Sequence, residues 1–126
     1  MDTRSKILAS PPQPWPAFAA PLAVVTGYFD LLRAWHVREF AGVRQRTGAR
    51  SLLVVVLPLA GEVLPQRARA ELVAALRMVD YVVTIDHGEL EELVAALQPA
   101  ALVRLEAADA RQARQLMEHV HRRQTR

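Results

Sequence analysis

The sequence predicts a three-layer α/β sandwich built on a Rossmann-like parallel sheet of about four or five strands, with helices on both faces. Three observations predict it. Short runs rich in β-branched residues alternate with segments whose apolar residues recur every three to four positions. The connections between them are short. One run, "SLLVVVLP", is apolar throughout, as a strand covered on both faces must be. Parallel strands need crossover connections, and this alternation supplies a helix for each.

Residues 1–21 are expected to form a Pro-rich arm, and residues 22–126 one α/β domain. In the arm, "SPPQPWPAFAAP" places Pro11, Pro12, Pro14, Pro16 and Pro21 close together. Each fixes φ and removes a backbone donor, so the segment is extended, with Trp15 and Phe18 as anchors onto the body. "PLAVVTG" reads as a strand ending at Gly27, followed by "SLLVVVLP", "DYVVTID" and "AALVRLE" as further strands. The intervening helical faces are Leu72, Ala75, Leu76 and Val79, then Leu90, Leu93, Val94 and Leu97, then Ala113, Leu116, Met117 and Val120. Asp86 is a candidate cap, Glu89, Glu91 and Glu92 suit a positive helix end, and Pro99 stops that helix.

Composition narrows the function classes. With 126 residues the chain has one core, and 52% apolar with 23% charged residues is the balance of a soluble globular protein. There is no cysteine, which excludes disulfides, thiolate chemistry and Cys-based zinc sites. No apolar run reaches the ~20 residues of a membrane helix, and the N-terminus has no signal-peptide core, so a cytoplasmic protein without a membrane partner is expected. Abundant Ala, Arg, Leu and Val beside a single lysine, Lys6, looks like high-GC bacterial coding bias. A net charge of +3 is too small to mark a nucleic-acid partner, which needs basic residues clustered on one face. His87 has no second ligand at metal spacing, and His119 and His121 are two apart on a helix, so no metal site is expected.

The stretch after the first strand, "VTGYFDLLRAWHV", carries the functional signal. In open α/β sheets, ligands bind beyond the carboxyl ends of the strands, where strand order reverses. Residues 27–36 resemble the signature of the cytidylyltransferase-like nucleotidyltransferases, Gly-x-Phe-Asp-x-x-His-x-Gly-His. Gly27, Phe29 and Asp30 stand in register, Arg33 takes the place of the first histidine, Trp35 that of the glycine, and His36 that of the second histidine. "RAELVAALRMVDYVV", "LEELVAALQPAALVR" and the early "SKILA" resemble blocks of the adenylyltransferase domain of bacterial heptose-phosphate enzymes. The likeness covers residues 22–105.

That resemblance implies a nucleoside triphosphate, CTP or ATP, bound with Mg2+ and attacked by a small phosphorylated acceptor. Backbone donors and imidazoles would stabilise charge at the α-phosphate by position and electrostatics. Carried over residue by residue, His36 and Arg33 are the candidate catalytic groups. Gly27, Phe29, Asp30, Trp35 and Arg104 are the candidate nucleotide contacts.

Four departures alter the expectation. Arg33 keeps a cation but replaces an imidazole. Trp35 adds about 200 Å² of surface where the family has only a hydrogen. "LPLAGEVLPQRAR" lacks polar substrate-facing residues, and the chain runs from Arg104 directly into an amphipathic helix without the family's Ser/Thr-rich helix start. The expectation is a degenerate, catalytically impaired domain acting as a nucleotide-binding or assembly module, as a homodimer or with a protein partner. The alternative is an active nucleotidyltransferase. Residue by residue, both readings stay open: Gly27 admits phosphate or relieves a tight turn, and Asp30 holds a metal, caps a helix or orients an amide. His36 is a vestigial catalytic group or an ordinary helix histidine, Arg33 a phosphate ligand or an ion-paired side chain, and Trp35 fills the base pocket, the core or a contact surface.

Overall fold

A computed structural model of the chain describes residues 2–8 and 15–124. The long apolar runs become the centre of a five-stranded parallel sheet, in the order β1-β4-β3-β2-β5. Its strands are β1 (Ile7–Leu8), β2 (Leu22–Gly27), β3 (Ser51–Val56), β4 (Tyr81–Thr84) and β5 (Ala101–Arg104). Four helices connect or follow them: α1 (Ala34–Thr47), α2 (Gln66–Ala74), α3 (Leu90–Leu97) and α4 (Glu106–Gln124). The three-layer α/β class expected from the sequence is the one observed.

β2 and β3 are buried at every position because both faces of the sheet are covered. Side chains alternate across a strand. Ala23, Val25, Leu52 and Val54 therefore meet Phe40 and Val43 of α1 and Ala70 and Val73 of α2 on one face. Leu22, Val24, Leu53 and Val55 meet Leu90 and Leu93 of α3 on the other. Trp15 and Phe18 join this second layer, the Phe18 ring standing edge-on to Tyr81 with centroids 4.9 Å apart. Pro11, Pro12 and Pro14 of the expected arm lie outside the described residues. The start of that arm is part of the sheet: Ile7 and Leu8 pair in register with Val82 and Val83 and form the edge strand.

Two helices differ in phase or environment from the sequence pattern. α2 buries Arg69, Ala70, Val73 and Ala74, while Leu72 is 44% exposed, so its inward face is rotated from the expected Leu72–Ala75–Leu76 stripe. A buried arginine sets that rotation, as described below. In α4 the expected apolar face carries Met117 at 69% and Val120 at 44% exposure. No described helix is long and apolar enough to cross a membrane.

The topology fixes where a ligand would sit. From β2 the chain steps to β3 and β4 on one side, then returns to place β5 on the other. Strand order thus reverses at β2, and the crevice lies beyond the carboxyl ends of β2 and β5.

Candidate functional site

β2 ends at Gly27, and the chain turns through Tyr28 and Phe29 toward α1. Phe29 adopts φ 53°, a left-handed conformation that few non-glycine residues take. Its ring folds back over the strand end into the core, against Phe40 and His36. A Cβ on Gly27 would lie 2.7 Å from Phe29 Cζ, so the space left by this glycine is filled by the Phe29 ring. Gly27→Ala is accordingly expected to cost about 2 kcal/mol as an overpacking substitution, read from the urea midpoint at constant m-value.

The turn aims two successive backbone N–H groups at one point. Tyr28 N donates to Asp109 Oδ2 at 2.8 Å, and Phe29 N donates to the same oxygen at 2.7 Å. The other oxygen, Oδ1, is 2.8 Å from His36 Nε2. His36 is fully buried in the first turn of α1, and its Nδ1 accepts the Arg33 backbone N–H at 3.0 Å. With Nδ1 acting as acceptor, the ring proton is assigned to Nε2, which donates to Asp109. The imidazole thus caps α1 at one nitrogen and holds a carboxylate at the other. Burial pushes the Asp109 carboxyl up, but the bonds from His36 and from the Phe29 and Tyr28 amides outweigh it and hold the group below the usual carboxylate value.

Asp109 comes from α4, which starts one residue after β5. Glu106, in the same first turn, accepts the Thr26 hydroxyl and pairs with Arg104 Nε at 3.0 Å. The helix start therefore lays two carboxylates over the crevice between β2 and β5. A helix N-terminus and a converging pair of turn amides form an anion site by their partial charges. Here the anion is a side chain of the same chain.

The remaining candidates fall around this carboxylate in different roles. Asp30 accepts the Val63 and Leu64 backbone N–H groups at 2.7 and 2.8 Å, tying the loop after β3 to the turn after β2; it orients amides and does not cap α1. Arg33 lines a cavity beside the turn; its Nη1 reaches the Gln112 carbonyl at 3.4 Å, while Nε and Nη2 are buried without partners. Trp35 stacks on His36 with ring centroids 4.0 Å apart and packs against the core, and it is not among the residues lining that cavity. Arg104 is committed to Glu106.

Neither Asp109 nor Glu106 stands out in the sequence, where each reads as an acidic residue suited to a helix start. Arg69 was equally hidden. Its fully buried guanidinium donates to the carbonyls of Tyr28, Leu57 and Leu64 at 2.7, 2.8 and 3.1 Å and to Glu62 at 2.7 Å, locking the loops after β2 and β3 together. A magnesium ion at this site would be held chiefly by the phosphates of a nucleotide and not by a cage of protein side chains. Asp30 and Asp109 are spent on backbone amides, and among the described residues no three His, Asp or Glu side chains converge on one point.

A parallel α/β sheet whose first strand-to-helix turn carries Gly27, Phe29, Asp30 and His36 at the observed spacing defines a cytidylyltransferase-like nucleotidyltransferase fold. No protein-family profile matches the chain. It is 34% identical over 100 residues to the bifunctional protein HldE of Rhodopseudomonas palustris, a match covering 71% of this chain and 20% of that protein. The HldE proteins of Bradyrhizobium diazoefficiens and Nitrobacter hamburgensis are 35% and 37% identical, covering 71% and 66% of this chain. The chain spans about a fifth of the length of these curated relatives. In fold it resembles the lipopolysaccharide core biosynthesis protein from Thermoplasma volcanium, with a TM-score of 0.58, 20% identity, and coverage of 64% of this chain and 70% of that one. The chain is a nucleotidyltransferase-like domain homologous to part of HldE.

Proposed function

We propose that this domain is a degenerate, catalytically impaired nucleotidyltransferase fold that acts as an assembly module and does not turn over a nucleoside triphosphate. One observation carries the reading: the Asp109 carboxylate already takes the Tyr28 and Phe29 amides and the His36 imidazole, the donors a triphosphate would need. Glu106 beside it adds a second negative charge at the helix start. Bringing a polyanion there sets like charges together in a partly desolvated crevice. The exposed Met117 and Val120 on α4 support contact with a second copy or a protein partner, in a cytoplasmic bacterial setting.

Calorimetric titration with CTP or ATP, each with Mg2+, is expected to give no saturable heat up to ~1 mM, the upper end of ordinary KM values. Incubation with sugar phosphates is expected to release no pyrophosphate. Saturable binding without pyrophosphate release would make it a nucleotide-binding module, and binding with release would replace this reading with the active nucleotidyltransferase; in both, Asp109 must vacate the turn before the triphosphate enters.

A further inference from the structure

A cavity of about 270 Å³ lies between the turn after β2, the loop after β3 and α4. Its walls are mostly apolar, with Leu31, Val63, Ala113 and Met117 contributing, and its two cations are the half-buried Arg33 and the exposed Arg114. The two carboxylates on the wall, Asp30 and Asp109, have their oxygens engaged by N–H donors. Arg33 is the opposite case. Its Nε and Nη2 are buried without an acceptor. An unpaired buried guanidinium is costly, so these two donors mark a missing partner.

The geometry of the orphaned pair defines that partner. Nε–H and Nη2–H project in parallel from the side edge of the guanidinium and match the two oxygens of a carboxylate. The other end of the guanidinium is held only by the 3.4 Å contact to Gln112, which is long enough to yield as the fork turns toward the cavity. A phosphate ester would bring about two negative charges beside Asp30 and Asp109, and only Arg33 offers a buried, unpartnered fork to meet them. A monoanion pairs one-to-one with Arg33. The apolar walls call for an apolar body, and since ~150 Å³ holds a benzene ring, the cavity has room for a ring or short acyl chain with a carboxylate arm.

We propose that this cavity binds a small monocarboxylate with an apolar body, its carboxylate held side-on by Arg33. The site goes beyond the nucleotidyltransferase reading and does not depend on it, because Asp109 stays in place when the cavity fills.

Phenylacetate is the probe, followed by calorimetry and by amide chemical shifts, with phenylacetamide as its neutral isostere and pyrophosphate as the polyanion. Saturable phenylacetate binding is expected, at least tenfold tighter than phenylacetamide and tighter than pyrophosphate. Arg33→Gln should weaken phenylacetate at least tenfold, and Ala113→Phe, which fills the cavity from α4 and leaves Arg33 intact, should abolish binding. Absence of phenylacetate binding, or equal affinity for acid and amide on the unaltered protein, overturns the proposal whether or not Arg33→Gln folds. Tighter binding of pyrophosphate would overturn it and, separately, would count against the impaired-site reading.

Discussion

Replacing Asp109 with alanine is expected to lower the unfolding free energy by about 3 kcal/mol, a fall in Tm of roughly 10 °C for a domain of this size. The loss is large because three donors are orphaned together: the Tyr28 and Phe29 amides and His36 Nε2. Asp109→Asn should recover little of it. An asparagine oxygen can take the two amides, but its NH₂ then faces Nε2–H, and the imidazole cannot move its proton to Nδ1 without opposing the Arg33 amide. Small anions distinguish a lost anion from a lost side chain. In the alanine variant, formate should raise Tm in proportion to occupancy, while the unaltered protein should not respond.

The same carboxylate sets a pH dependence whose sign is fixed. Its value in the folded protein lies below the usual 3.8. The stabilisation it brings is therefore present in full above the unfolded-state carboxylate value and disappears as pH falls through the depressed folded value. Acid unfolding of the unaltered protein should include this contribution below about pH 4, and the Asp109→Asn protein should lack it. Parallel urea titrations at neutral and acid pH measure the difference.

Arg69→Met is the second large change, with an expected cost of about 4 kcal/mol. Methionine preserves the stem packing but removes the donors to three buried or partly buried carbonyls and to Glu62. Arg69→Lys should be intermediate, since one ammonium cannot span the same fan of acceptors. Hydrogen exchange checks the mechanism as well as the magnitude. Loss of protection should concentrate in the turn after β2 and the loop after β3, the two segments the guanidinium joins, and spare β4.

Arg69 also marks the limit of what periodicity reveals in this chain. "SLLVVVLP" was legible because a strand buried on both faces must be apolar at every position, and β3 is. α3 was legible because Leu90 and Leu93 lie on the stripe that packs. The α2 stripe is out of phase with its periodicity because an arginine counts as polar, whereas here four acceptors draw its head inward and Leu72 faces solvent. The α4 stripe is apolar as its period predicts, but periodicity cannot say that Met117 and Val120 stay 69% and 44% exposed. Gly27 to His36 lie at the carboxyl end of β2 and the start of α1. What completes that turn comes from 73 or more residues away, at Asp109, brought near only because strand order reverses at β2. No local pattern in "LEAADARQ" announces this.

The brevity of the β5–α4 junction has a kinetic consequence. Leu105 alone separates the strand from the helix; its N–H is bonded to Thr26 O at 2.8 Å and its carbonyl accepts from Asp109 N at 2.7 Å. The backbone that carries Asp109 therefore has no slack, and the carboxylate leaves the turn only by a rotamer change that orphans three donors at once or by unwinding the first turn of α4. Any competing anion then meets a receptive turn only in the small fraction of molecules so opened, and its apparent affinity is reduced by that fraction. Selection on this domain could therefore retune the turn without touching it, by strengthening or weakening the opening turn of one helix.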